Sequence, residues 1–340
     1  MPEESDAGRI QSDRSGCLQN LLEGRIVKIP ELRLADLVAK VPVIQGGMAV
    51  RISMAPLAAA VAEEGGIGLI AGSGLSVDEL IAEIREARRR TKGIIGVNIM
   101  FAVREFAQLV RAAFEEKVDL LVSGAGFSRD MFTWGKETNT PVVPIVSTAK
   151  LAVMSEKLGA AAVIVEGHEA GGHLGTERFM REILPEVKAS VKIPVIGAGG
   201  VIDGRDVVEV LKLGADGVQM GTRFALSEES SAAPAYKEYL LHAREEDMVI
   251  VHSPVGLPGR GIRNPFTESL EANKDVKPIR CIACLKHCEK NFCIITRLVK
   301  AQQGDMKEGL IFSGSKFHKI KEILSVHQIF ENIKKEILLS

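Results

Sequence analysis

Eight short apolar runs, bounded largely by glycine and proline, recur between residues 41 and 224, and helical patterns fill the gaps between them. The runs are Val41–Gly47, Gly66–Ala71, Ile94–Met100, Asp119–Ser123, Pro141–Ser147, Ala161–Glu166, Pro194–Gly197 and Val218–Met220. Strands without a polar face have to be covered on both sides, which a parallel sheet flanked by helices provides. The intervening helices are read over Ser53–Glu64, Val77–Arg90 (capped near Ser76), Arg104–Glu116 and a short stretch containing Trp134. Ala149–Leu158 closes at Gly159, Arg178–Ala189 follows a glycine-rich loop, and Arg205–Leu213 ends at Gly214.

Two topologies accommodate eight such units. A doubly wound sheet places its phosphate-binding glycines on the first turn. Here the richest glycine turns follow runs six, seven and eight, the habit of a closed barrel. The expected fold is therefore a (β/α)8 TIM barrel with a C-terminal, mainly helical accessory region. Residues 1–30 form a polar leader, 31–225 the barrel and 226–340 the accessory region. Within the last, Ala235–Arg244 reads as a helix and the Pro/Gly-rich stretch Ser253–Arg263 as a loop. Ile294–Gln303 and Ile320–Ile337 read as helices packed on the barrel exterior.

Composition narrows the function classes. Lys+Arg of 43 against Asp+Glu of 44 gives a net charge of −1, which offers nothing to nucleic acid or an acidic membrane. Aromatic residues at 4% argue against base-stacking or sugar platforms. No apolar run approaches the roughly 20 residues of a membrane span, and the leader lacks the apolar core of a signal peptide. A cytoplasmic protein is expected.

Two glycine turns, Gly197–Gly200 before Asp203 and Gln219–Thr222, leave adjacent strands at the place where barrels hold phosphate. Glycines let backbone N–H groups approach an anion, a helix N-terminus adds its dipole, and Thr222 offers a hydroxyl. Neither turn contains a lysine, so backbone donors would dominate; alternatively the glycines only end strands. The sixth run leads into Glu166–Gly175, with His168 and His173 among four glycines. Histidine there suits proton transfer near neutral pH, unless the loop is merely a solvated surface. A zinc site with Glu166 or Glu169 matches no helical ligand spacing.

The loop Glu166–Gly175 resembles the signature loop of the nitronate monooxygenase family, which includes flavin-dependent enoyl-acyl-carrier-protein reductases of the second type. Pro42–Ala49 resembles that family's opening strand, Gly96–Asn98 its third, and Ala198–Gly200 and Gly214–Phe224 its phosphate turns. The resemblance implies FMN bound without a covalent link at the barrel mouth. By it, Gly47 and Met48 line the flavin ring and Asn98 hydrogen-bonds it. Ala198, Gly199, Gly200, Gly221 and Thr222 hold the phosphate, and Gln219 and Met220 help close the pocket. Gly171 and Gly172 let the loop pass the flavin, and His173 is the catalytic histidine. Oxidation of alkyl nitronates is the leading activity it implies. The alternative is NAD(P)H-dependent reduction of an enoyl thioester, on acyl-carrier protein or otherwise. An acidic carrier protein would call for a basic patch, with Arg178, Arg181, Arg260 and Arg263 as candidates. A flavin-bearing electron carrier or redox sensor without turnover is the third reading. A homodimer is carried as the expected assembly.

Cys281, Cys284, Cys288 and Cys293 form C-x2-C-x3-C-x4-C, a departure from that family's pattern. Closely spaced cysteines in a reducing compartment suit a [4Fe–4S] cluster or a tetrahedral zinc, with free or redox-sensing thiols as the remaining option. The first three also resemble a run in iron–sulphur flavoenzymes related to dienoyl-CoA reductase. His287 is a substitute ligand in either case, and Cys17 has no assigned role.

Overall fold

The computed structural model describes residues 28–340 apart from Ile279, so most of the polar leader, Cys17 included, lies outside the described residues. The described chain opens with a hairpin, β1 (Leu32–Leu34) against β2 (Leu37–Ala39). Leu32 and Leu34 are fully buried and pack with Ile44, Ile67, Leu120 and Ile196 in the barrel interior, so the hairpin plugs one end.

All eight apolar runs form the parallel strands of one closed barrel. They are β3 (Val43–Gln45), β4 (Ile67–Ala71), β5 (Ile94–Met100), β6 (Leu120–Gly124), β7 (Val142–Val146), β8 (Val163–Glu166), β10 (Val195–Ala198) and β11 (Gly217–Met220). Pairing of Val218 with Val43 and Met220 with Gln45 joins the last strand to the first, which leaves no barrel edge. The helices between them are α1 (Ala55–Glu63), α2 (Val77–Arg90), α3 (Phe106–Glu115), α4 (Arg129–Thr138), α5 (Ala149–Leu158), α6 (Met180–Ser190) and α7 (Gly204–Lys212). Local signals set their ends: Ser76 and Glu79 form a capping box, Asp203 caps α7, and Gly159 ends α5 at φ +96°.

After β11 comes only the single turn α8 (Thr222–Ala225), too short to cover a strand pair. The eighth place in the helical ring, between α7 and α1, is taken by the chain's last long helix, α12 (Val326–Leu338). Its Ile329, Phe330, Ile333 and Ile337 are buried in the layer between strands and helices. The Phe330 ring sits against Gly66, where a Cβ would stand 2.7 Å from it.

The stretch from 226 to 325 lies between two parts of the barrel and crosses its mouth. It holds α9 (Pro234–His242), α10 (Pro265–Glu271) and α11 (Ile294–Gln302). It also corrects the loop expected over Ser253–Arg263. Pro258–Ile262 is a strand, β13, paired antiparallel with β12 (Met248–His252) and with β9 (Gly172–His173) from the histidine loop. Its glycines masked the strand, yet packing requires them. A Cβ at Gly259 would stand 2.9 Å from Phe312, and one at Gly261 2.6 Å from the Ile311 carbonyl. A second correction concerns α11, which roofs the barrel mouth through Ile294, Ile295 and Leu298 rather than packing on the outer wall.

Because Phe330 is fully buried, Phe330→Ala is expected to cost about 3–5 kcal/mol by transfer and cavity terms together. Urea unfolding should show a lowered midpoint with an unchanged slope.

Candidate active site at the barrel mouth

The C-terminal ends of the strands surround two adjoining cavities that share Gly47, Met48, Asn98, Glu166, Gly171, Gly221 and Thr222. The first, about 130 Å³, is a glycine cradle completed by Ala198, Gly199, Gly200 and Gln219. Gly199 and Gly200 adopt φ +105° and +68°, which glycine tolerates without strain, and they turn the backbone toward α7. Gly47 is confined by the Asn98 side chain, since a Cβ there would stand 2.3 Å from the Asn98 Cβ. Met220 lies away from both cavities. Its side chain is buried between strand and helix, and its carbonyl accepts the Gly46 N–H at 2.8 Å.

The second cavity, about 220 Å³, is apolar over most of its wall. Val50, Ile52, Met100, Tyr236, Ile295 and Phe312 line it, and among the described residues no lysine or arginine does. His173 and Gly172 stand on this side rather than in the cradle. The Gly259–His173 and Arg260–Gly172 register with β13 holds the histidine backbone, and the Phe312 ring meets the imidazole edge-on at 5.3 Å. His173 Nε2 lies 2.8 Å from the Ser253 hydroxyl, in the turn between β12 and β13. Burial pulls the His173 pKa down to about 4, so the ring is neutral at physiological pH. Burial pushes Glu166, at the end of β8, up to about 8, so this carboxyl keeps its proton.

His168 has a different fate. Arg260 Nη2 lies 2.7 Å from its Nε2 and also donates to its carbonyl at 2.9 Å, and the ring borders neither cavity. Glu169 accepts the Met180 N–H at the start of α6, which uses it as a helix cap rather than a metal ligand. The arginines named for a basic patch are also engaged. Arg260 is buried on His168, while Arg178 pairs with Glu186 at 2.5 Å, Arg181 with Glu209 at 4.0 Å and Arg263 with Glu271 at 2.6 Å. Among the described residues, the group of acid, histidine or cysteine side chains whose ligand atoms lie mutually within 4.8 Å is Glu64, His327 and Glu331, with Lys334 beside Glu64. The four clustered cysteines are free thiols and form no group that tight.

Several site residues escape a linear reading. Ser313–Phe317 folds over the cradle: the Gly314 N–H donates to Thr222 Oγ1 at 2.9 Å, and Ser315 N–H to the Glu169 carbonyl at 2.9 Å. Lys316 enters the cradle wall from this segment and pairs with Asp206 of α7. Ser253, Phe312 and Lys316 come from distant chain without a chemical motif, Ser253 having been read only as the start of a loop, whereas Glu166 lay inside the histidine loop.

The donors and acceptors fit a flavin mononucleotide. Asn98 Oδ1 and Gln219 Oε1 are buried acceptors without partners among the described residues, and both residues line the cradle, where a ring N–H could satisfy them. Asn98 Nδ2 donates to the Gly47 carbonyl at 3.0 Å, which fixes its amide. Thr222 Oγ1 already accepts one hydrogen bond, so its own proton is free to point into the cradle beside the Gly199–Gly200 backbone.

Known proteins agree with this geometry. The nitronate monooxygenase family model matches residues 31–125 and 97–336. FabK from Thermotoga maritima is 38% identical and superposes with a TM-score of 0.80 over 87% of this chain and 92% of its own. Nitroalkane oxidase from Streptomyces ansochromogenes is 25% identical, with a TM-score of 0.76 over 87% and 95%. A hydroxy-methyl-oxo-octahydroindene-carboxyl-CoA dehydrogenase of Mycobacterium tuberculosis is 35% identical over 68% of this chain and 65% of its own length, just under two thirds. No helix among the described residues is long and apolar enough to cross a membrane. With its barrel, its glycine cradle and a family match spanning nearly all described residues, the chain belongs to the nitronate monooxygenase family of oxidoreductases.

Proposed function

We propose that the protein binds FMN across the two cavities and reduces the carbon–carbon double bond of an enoyl-CoA thioester at the expense of NADH or NADPH. The observation that carries this reading is the mainly apolar chamber beside the cradle, whose described wall holds no lysine or arginine. A nitronate is a small anion, and burying it where no cation waits is costly. An enoyl chain is neutral and gains roughly 25 cal/mol for each Å² of apolar surface it buries. Similarity to FabK, an enoyl reductase, and to a CoA-ester dehydrogenase supports the same class.

When bound, FMN supplies a carrier that accepts a hydride from the nicotinamide and hands it to the β-carbon. The chain's own groups do the rest. The Gly199–Gly200 backbone, Thr222 and Lys316 hold the phosphate, and Asn98, Gln219 and protonated Glu166 meet the polar edge of the ring. Ser253 holds the His173 ring through Nε2. With the serine hydroxyl donating there, the ring proton sits on Nδ1, and that N–H orients and polarises the thioester carbonyl. The proton for the α-carbon comes from the protonated Glu166 carboxyl, which borders the same chamber, and the α11 roof keeps bulk water from the reacting carbons.

Oxidation of an alkyl nitronate through the same flavin is the second reading. The likeness to nitroalkane oxidase favours it, as does 28% identity to a probable nitronate monooxygenase of Staphylococcus saprophyticus over 87% of this chain and 94% of that one.

An anaerobic cuvette separates them. Under the proposal NADH or NADPH bleaches the flavin and a medium-chain trans-2-enoyl-CoA restores its colour. Bleaching by a nitronate, with no response to the enoyl-CoA, would establish the second reading instead. His173→Ala should lower kcat by about 10²–10⁴-fold with flavin content unchanged. Ser253→Ala should lower it about tenfold, the worth of one hydrogen bond. Lys316→Met should weaken FMN binding about ten- to a hundredfold, read by flavin fluorescence titration.

A pH effect follows from Glu166 in the flavin-free protein. Its folded pKa of about 8 lies above the ordinary 4.5, so the folded state binds more protons between them and stability falls as pH rises through that window. His173, held at about 4 against 6.5, works in the opposite direction below pH 6.5. Thermal melts should therefore show wild type losing stability from pH 6.5 to 8, and Glu166→Gln losing much less.

A further inference from the structure

The thiol-rich segment has no part in the mechanism above, yet the fold anchors it beside the reaction chamber. From Ala272 to Cys293 the described residues form no helix or strand beyond one bridge, Leu285 to Val103, just past the end of β5. The Arg104 N–H donates to the Cys284 carbonyl and the Lys286 N–H to the Ala102 carbonyl, each at 2.9 Å. On the other side the Glu289 N–H donates to the Pro254 carbonyl at 3.0 Å, and Asn291 Nδ2 to the His252 carbonyl at 2.9 Å. The segment is thus stitched both to the strand that carries Asn98 and to the turn that carries Ser253. Cys293 immediately precedes Ile294 and Ile295, which line the chamber.

Within this frame the four cysteines fall within thirteen residues, on a segment pinned at Cys284 and again at Glu289 and Asn291. Ala283 adopts φ +54°, which folds the first C-x2-C back so that the Ala283 N–H donates to Cys281 Sγ at 3.4 Å. The Thr296 hydroxyl donates to Cys293 Sγ at 3.1 Å. Cys284 and Cys288 pack against the apolar core that contains Leu285 and Phe292, whereas Cys281 is exposed. Hydrogen bonds to sulfur and a partly apolar bed are the surroundings that tune thiolate-held clusters.

We propose that Cys281, Cys284, Cys288 and Cys293 hold a [4Fe–4S] cluster at the rim of the chamber. Thiolates crowded on one pinned segment are the ligand set of such a cluster, the Ala283 turn and the Thr296 hydroxyl supply the hydrogen bonds to sulfur that tune it, and zinc is the outcome that the test separates. The site is independent of the choice between enoyl and nitronate substrates.

The test is metal and sulfide analysis of the full chain purified anaerobically from iron-supplied cells. A parallel sample is reconstituted with ferrous iron and sulfide. About four irons and four sulfides per chain are expected, with a broad visible absorption that dithionite bleaches and an EPR signal from the reduced cluster. Cys284→Ala and Cys288→Ala should lose the iron while keeping FMN, and Cys17→Ala should keep both. Should the two half-buried variants fail to fold, Cys281→Ala at the exposed edge should still lose its iron faster than wild type on exposure to a chelator. Zinc in place of iron, or four thiols open to iodoacetamide in the iron-free anaerobic and reconstituted protein, would overturn the proposal. FMN content, measured on the same samples, reports separately on the flavin reading.

Discussion

Closing eight parallel strands into a ring demands that every outer face be covered, and this chain leaves the face beside its last strand bare until α12 arrives. The return of α12 to α7 and α1 ties down both ends of the intervening hundred or so residues. A segment anchored at each end of a gap in the ring has little choice but to cross the barrel mouth. From that crossing come the α11 roof, the sheet that receives β9, and the Ser313–Phe317 segment over the cradle. Apolar packing of one helix on the far wall thus decides whether the site is enclosed.

Enclosure in turn sets the electrostatics. His173 and Glu166 move in opposite directions for the same reason: burial penalises whichever form is charged. Both end neutral, and among the described residues the mainly apolar chamber wall adds no lysine or arginine. The cradle next door has the opposite character, with backbone N–H groups, the Thr222 hydroxyl and Lys316 beside a helix start. One half of the mouth offers hydrogen-bond donors and the other a mainly apolar wall.

Much of this was legible along the chain where the signal is local. The barrel strands follow from apolar runs, because a strand buried on both faces has no polar residues to break the pattern. The cradle glycines were legible because only glycine sits at φ +105° without strain while leaving the backbone open to a ligand. Met220 was not separable from Gln219, since adjacent strand residues point to opposite faces and the pattern does not say which face meets the cavity. Ser253 was hidden for another reason: its role depends on a strand whose Gly259 and Gly261 mimic a loop and are explained only by the nearness of Phe312 and Ile311. His168 and His173 look alike in the chain. Arg260, some ninety residues on, makes one of them a structural partner.

By itself the sequence determined the eight-fold alternation of strand and helix, the glycine turns and the family, because each rests on periodicity or on a residue type that only one backbone conformation accepts. Tertiary structure decided which histidine faces the chamber, which arginines are already engaged, and that the last helix completes the barrel. Those outcomes depend on side chains from distant segments competing for the same space and the same hydrogen bonds, a competition that exists only once the ring has closed.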